Sequence, residues 1–406
     1  MRVMLRLAIA SSLLIGLSAG ASATELFDAC AASAANHFEA GYEGVGPVDG
    51  PEPYIDYYAA VDACTAALVE SPGDIQLTAW LGVAHLGKGE PDKAVPLLEA
   101  AATAGNMVAE RTLGDLLILG KGLRQDKVRG VDLLQRAAAQ NFAPASLSLG
   151  YSFEYGDGVA RDPATAMKFY MAAAEAGIVR AQLIVADHFD RGISTAADAV
   201  AAFDWLGRAA SSGNGEAFYR LGVAHLEGRG TIVSLDSALA AFQASSEAYD
   251  PRGRTALGYL TELGLGVPAD AEAAFDLYSS GRSSNLPIAM HNFARMEQAG
   301  SGGSADAEDA RKVYEQAARA GEMRSAVNLG IMMLAGEGGP QDLEGALRWT
   351  ASAARAGNAA GLNNLGRMYE LGLGVAPDPT EARRLYEEAA ALGYTLAAEN
   401  LDRLGG

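Results

Sequence analysis

The sequence predicts an all-α solenoid, a row of antiparallel helix pairs, and three observations carry that expectation. Glycine recurs every 36 residues without exception, at Gly120, Gly156, Gly192, Gly228, Gly264, Gly300, Gly336 and Gly372. Alanine does the same at Ala166, Ala202, Ala238, Ala274, Ala310, Ala346 and Ala382. A third register admits only small residues: Gly114, Gly150, Ala186, Gly222, Gly258, Ala294, Gly330 and Gly366. Self-similarity at this period marks units too small to bury their apolar faces alone, which stack to do so. The phrase ELGLGV at Glu262 returns at Glu370, 108 residues later, because that distance is three periods. Residues 107–394 hold eight units of 36 with no insertion.

At the N-terminus, Arg2 and Arg6 precede an apolar stretch at residues 7–17, and Ala21-Ser22-Ala23 supplies the small residues of a cleavage site. This order predicts a signal peptide over residues 1–23, cleaved after Ala23 to leave Thr24 first. Its apolar core is shorter than the roughly 20 residues of a membrane span. The expectation is therefore an exported, periplasmic chain with no membrane insertion of the mature protein. Residues 24–106 form an N-terminal cap, beginning with a helix at about residues 26–38. The Gly/Pro-rich stretch GYEGVGPVDGPEP and a second helix follow. Cys30 falls in the first helix and Cys64 in the second. In an oxidising compartment such a pair is expected as a disulfide. It would add about 3 kcal/mol in the chain-entropy view.

Within the repeats, FAPASLSLGYSFEYGDGVARDPATAMKFYMAAAEAG (residues 142–177) serves as the example. Apolar residues recur at three- and four-residue spacing over residues 144–155, as an amphipathic helix requires. Gly156 ends that helix, because glycine tolerates the left-handed conformation of a C-cap. Asp162-Pro163 starts the next helix with an N-cap and a proline in the first turn. That helix runs to about residue 176 with Ala166, Tyr170, Ala173 and Ala174 on one face, and Gly177 closes it. Gly150 and Ala166 are expected where the two helices cross. Tyr170, Phe242, Tyr278, Tyr314 and Tyr386, in one register, are expected to fill the gap between units. Unit 251–286 carries Gly281-Arg282 in place of the usual Ala-Ala pair, and the next unit has the loop AGSGGSADAED. Gly inside a helix costs about 1 kcal/mol relative to Ala, so a soft joint is expected over residues 278–305. Residues 395–406, TLAAENLDRLGG, begin a ninth first helix that caps the row.

The pattern A-x-x-x-L-G-x-M-Y-x-x-G-x-G-V, followed by D and A-x-x-x-Y-x-x-A-A-x-x-G, resembles the Sel-one-like repeat, a relative of the tetratricopeptide repeat. AGLNNLGRMYELGLGVAPDPTEARRLYEEAAALG (residues 360–393) is its fullest copy. The resemblance covers all eight units, and the N-terminal cap looks more like tetratricopeptide units. It implies a right-handed superhelical solenoid with first helices on the concave face. It also implies that the register of Tyr151, Asp187, Tyr259, Arg295 and Arg367 faces that groove, as does the register of Tyr219, His291 and Asn363. Aromatic and Arg side chains are favoured binding anchors, so these residues are the candidate contacts for a protein or peptide partner.

Composition narrows the partners. The net charge is −19, and the leader carries two arginines and no acid, so export leaves the chain still more acidic. Nucleic-acid binding needs clustered Lys and Arg, which excludes that class, and self-repulsion favours a monomeric or weakly associating protein. Catalytic motifs do not survive inspection. GLSAG matches a nucleophile elbow but lies in the leader, and GVAHLGKG lacks the Ser/Thr of a phosphate loop. S-x-x-K, H-E-x-x-H and C-x-x-C are absent. His225 occupies the register of Phe153, Phe189 and Tyr369, as a packed aromatic substitute would, and Asn292, Asn328 and Asn364 read as a ladder at the helix–helix contact. No metal, cofactor or catalytic residue is expected. The reading is a non-enzymatic adaptor. A penicillin-recognising hydrolase, as the resemblance implies for a cysteine-rich branch, is disfavoured because residues 107–394 contain no Cys. A secreted host-interaction factor is the further alternative.

Overall fold

The computed structural model describes residues 22–35 and 56–405. The core of the leader and the Gly/Pro-rich stretch after the first helix lie outside the described residues. Among those described, every regular element is helical, and there is no strand. An N-terminal group comprises α1 (Ala23–Ala34), α2 (Tyr57–Glu70), α3 (Ile75–Gly87) and α4 (Pro91–Thr103). Helix pairs follow: α5 (Met107–Leu119) with α6 (Lys127–Ala139), α7 (Ala143–Tyr155) with α8 (Pro163–Glu175), and α9 (Val179–Arg191) with α10 (Ala199–Ser211). Next come α11 (Gly215–Glu227) with α12 (Leu235–Glu247), α13 (Pro251–Leu263) with α14 (Ala271–Ser283), and α15 (Pro287–Ala299) with α16 (Ala307–Arg319). The last are α17 (Met323–Ala335) with α18 (Leu343–Arg355), α19 (Ala359–Leu371) with α20 (Pro379–Ala391), and the single α21 (Thr395–Gly405). The chain divides into two compact units, one holding α1–α10 and the other α11–α21.

Local chemistry sets the ends of each pair. The periodic glycine takes the left-handed C-cap position, with φ of 76° at Gly156 and 67° at Gly372. Every second helix from α6 to α20 starts at an Asp or Ser whose side chain accepts a backbone N–H of the first turn, for example Asp162 from Ala164 and Thr165. The second glycine of the G-x-G loop has a different purpose. A Cβ at Gly158 or Gly338 would run into the carbonyl oxygen of Lys127 or Ala307, at the start of the preceding second helix. At these two positions the loop thus clips a pair to the one before it.

Two kinds of close approach build the stack. Inside a pair, Gly150 lies flat against the ring of Tyr170; Gly222 does the same for Phe242, Gly258 for Tyr278 and Gly366 for Tyr386. These rings are fully buried. They therefore pack within their own pair, and not simply between units as the sequence suggested; Tyr170 also meets His188 of the next pair edge-on at 5.6 Å. Between pairs, a small residue of one second helix faces a small residue of the next first helix. A Cβ on Gly253 would strike Ser245, one on Gly361 would strike Ala353, and one on Gly281 would strike Ala289 at 2.7 Å. Gly281 is thus a packing residue in a continuous helix.

The ends are closed differently. Cys30 and Cys64 form a disulfide that joins α1 to α2, within a core that includes Leu26, Ala67, Leu77 and Trp80. The α1 helix is capped by Ser22 and Glu25, each accepting from the other's end of the first turn. At the far end, α21 buries Ala397 and presents Glu399 and Asp402 to solvent. Substituting Gly150→Leu forces Tyr170 out of its seat, so stability should fall by about 1–3 kcal/mol. Urea unfolding with an unchanged midpoint would contradict this packing.

Candidate partner-binding face

The eight candidate side chains divide by what already holds them. In the first unit Tyr151 is half-buried, its ring edge-on to Tyr170 at 5.5 Å, and its hydroxyl accepts from Arg180 at 2.6 Å. Asp187 pairs with Arg191 at 3.0 Å, one turn along α9. In the second unit Tyr219 leans on Phe242, ring centres 6.0 Å apart, with the Arg252 guanidinium 5.4 Å from its own ring. Tyr259 is 52% exposed, and Arg367 is also exposed. Arg295 is half-buried and donates to the Glu262 carboxylate at 2.6 Å.

His291 and Asn363 do not reach a free surface. His291 is buried with Nδ1 3.0 Å from Ser325 Oγ of the next first helix. Burial pushes its imidazole down to about 4, so it is neutral at pH 7. Asn363 is buried, donates to Asn364 and accepts from Asn400 of α21 at 2.8 Å. The two share one register, and each meets the element that follows, His291 at Ser325 and Asn363 at Asn400, which the single-unit pattern could not reveal. In the Asn ladder, Asn328 donates to the Tyr314 hydroxyl of the preceding helix at 3.0 Å, a helix–helix contact.

A recurrent polar rung explains where Arg295 went. The buried Tyr278 hydroxyl donates to Glu262 at 3.1 Å, and Glu262 also accepts from Arg295 of the next pair. Tyr386 donates to Glu370 at 2.7 Å, with Arg403 of α21 on the same carboxylate. Tyr170 donates to Glu154 at 2.5 Å, with His188 Nε2 at 3.6 Å. Tyr314 uses Gln298 at 3.3 Å. Phe242 and Thr350, which bring no phenol, have Leu226 and Leu334 at the acceptor position. This pairing of phenol with acceptor, sixteen residues apart, is readable in the sequence and was missed there. Burial first, then the adjacent carboxylate, holds the Tyr170 and Tyr278 phenols far above their usual range, so they are fixed donors and not acid–base groups.

A further exposed aromatic was also missed. Tyr249 is 81% exposed and adopts φ 61°, in a register that otherwise carries Gly177, Gly213, Asn285 and Gly321. The Arg254 guanidinium lies 5.4 Å from its ring. Among the described residues no three His, Cys, Asp or Glu side chains converge to hold a metal, and no helix is long and apolar enough to cross a membrane.

With this geometry in view, comparison with known proteins is direct. The Sel1 repeat family matches eight consecutive segments: residues 108–142, 143–178, 179–214, 215–246, 251–284, 287–322, 324–358 and 359–394. Among solved structures, a protective antigen present in uropathogenic Escherichia coli strains and displaying an SLR fold is 28% identical, with a TM-score of 0.73. That likeness covers 91% of this chain and 78% of the antigen. A Sel1 repeat protein from Oxalobacter formigenes is 27% identical with a TM-score of 0.59, over 76% of this chain and 90% of that one. No curated protein matches the chain.

Neutral His291 has a depressed pKa, so its contribution is complete above pH 6.5 and lost as pH falls toward 4. Replacing it by Asn, the residue of the same register at Asn363, should remove on the order of 2 kcal/mol from the stability lost between pH 6.5 and 4. Identical acid-unfolding curves for wild type and His291→Asn would contradict this burial.

Proposed function

The chain belongs to the Sel1 repeat family, and on that footing we propose that it is an exported, non-enzymatic scaffold that holds a protein or peptide partner. Repeat solenoids of this kind are typical protein-interaction scaffolds. The observation that carries the reading is the split on the first helices. Several polar side chains there are engaged by neighbouring repeats, His291 by Ser325, Asn363 by Asn400 and Arg295 by Glu262, whereas Tyr259 and Arg367 remain exposed on the second unit, in one register three periods apart. Aromatic and Arg side chains on a rigid frame lose little entropy on binding, which suits them as anchors. The candidate contacts are accordingly Tyr259 and Arg367, with Tyr219 on the same unit and Tyr151 as a separate candidate on the first; His291 and Asn363 belong to the stack.

Export to the periplasm rests on the leader at residues 1–23, and the acidic net charge supports a monomer. A second reading, a secreted factor that meets a host, gains support from the likeness to the uropathogenic protective antigen. Finding the protein in culture medium and not in periplasmic extract would favour it. Turnover of nitrocefin by the purified chain would overturn the non-enzymatic reading.

The direct test is capture of partners from envelope extract by the purified protein, followed by titration of the captured partner. Tyr259→Ala with Arg367→Ala should weaken binding at least about tenfold, the effect of one hot-spot residue, with unfolding unchanged. Undiminished affinity would retire this face.

A further inference from the structure

Glu297 occupies a position in α15 where other repeats carry Phe153, Phe189, Met333 or Tyr369. It is buried, and its Oε2 has no hydrogen-bond partner. Its carboxyl group lies close enough to the Asp309 carboxylate on α16 to feel that charge. Two carboxylates can share a hydrogen bond only if one of them carries a proton. Arg282, from the last turn of α14, grips Asp309 with both guanidinium nitrogens, at 2.8 and 3.3 Å, and rests 4.7 Å from the Phe293 ring. A single arginine therefore faces Glu297, Asp309 and the N-cap Asp306. Glu297 also sits in the last turn of its helix, where the backbone dipole opposes negative charge.

We infer that Glu297, Asp309 and Arg282 form a proton-loaded latch that ties α14 to the α15–α16 pair, closed while Glu297 holds a proton and weakened when it is lost. In the closed state the Glu297 hydroxyl donates to Asp309, whose single charge Arg282 balances. Loss of the proton leaves two carboxylates against one guanidinium and a buried oxygen with no donor. Such a group must find water, and that requires the seam between the two helix pairs to open. Burial, and then the Asp309 charge, push the Glu297 carboxyl up to about 7, so the latch changes state near neutral pH. Neighbouring charges point elsewhere: Glu262 of α13 pairs with Arg295, and Arg324 of α17 with Glu322. His291, on the same helix, faces Ser325 and acts with the opposite sign.

The sign follows from proton binding. The folded chain binds a proton at Glu297 that the unfolded chain has released above its ordinary value of 4.5, so stabilisation by the latch declines as pH rises through 7. Hydrogen exchange of the purified full chain, corrected for the intrinsic pH dependence of exchange, gives a local readout. Between pH 6 and 8 the opening equilibrium of α15 and α16 should rise about tenfold relative to Glu297→Gln, which retains the donor to Asp309 but cannot ionise. Taking the ratio to that variant cancels the contribution of His291. Equal pH dependence in the two proteins would overturn the latch. If Glu297→Gln fails to fold, carbon NMR titration of Glu297 in the wild type decides the matter. A midpoint near 7 supports the latch, and one below 5 refutes it.

Discussion

Two helices can approach only as closely as the side chains between them permit, and this chain clears that space at two registers. Within a pair, Gly150, Gly222, Gly258 and Gly366 give their place to an aromatic ring. Between pairs, Ser245 meets Gly253, Gly281 meets Ala289, and Ala353 meets Gly361. The extra atom on one side is matched by its absence on the other. Each buried aromatic ring removes about 150–250 Å² from water, which a pair could not cover if a larger residue held the helices apart. The glycine C-caps and acidic N-caps then fix where each helix stops, so that the crossings recur at the same spacing.

This packing limits what the surface can offer. Once a phenol is buried at the crossing, its hydroxyl needs an acceptor, and the acceptor is a Glu or Gln near the end of the first helix. A cation of the next repeat then balances that Glu. The rung Tyr278–Glu262–Arg295 is built this way, as is Tyr386–Glu370–Arg403. Arg295, His291 and Asn363 are thus committed to their neighbours, and the free face is narrower than the helical registers imply. Tyr249 stands apart. A bulky residue at φ 61° is strained, and the same register accommodates Gly or Asn elsewhere in the chain.

The fold was legible because its determinants are local and repeated. Gly156 as a C-cap, Asp162 as an N-cap and the small residues at Gly150 and Ala166 each act within one unit, and eight copies remove chance. The disulfide between Cys30 and Cys64 was legible from a single cysteine pair behind a leader that predicts an oxidising compartment. The candidate site was harder to see. Whether His291 is a groove residue or a buried one depends on Ser325, thirty-four residues onward, and a register drawn from one helix carries no information about the helix that will cover it. Gly281 shows the same division: its cost as a helix residue is visible in its own unit, whereas its fit against Ala289 belongs to the next. The phenol–acceptor pairing is the intermediate case, present in the sequence as Tyr with Glu or Gln and Phe with Leu.

If side-chain-free crossings hold the row together, damage at one crossing should spread to its two neighbours and no further, because each pair touches only the adjacent pairs. Gly361 offers the test, since its Cα lies against Ala353 and the Ala354 backbone. Hydrogen exchange of Gly361→Leu should accelerate in the repeats at residues 323–358 and 359–394 while residues 107–178 keep their protection. Uniform acceleration along the chain, or none at all, would contradict the account.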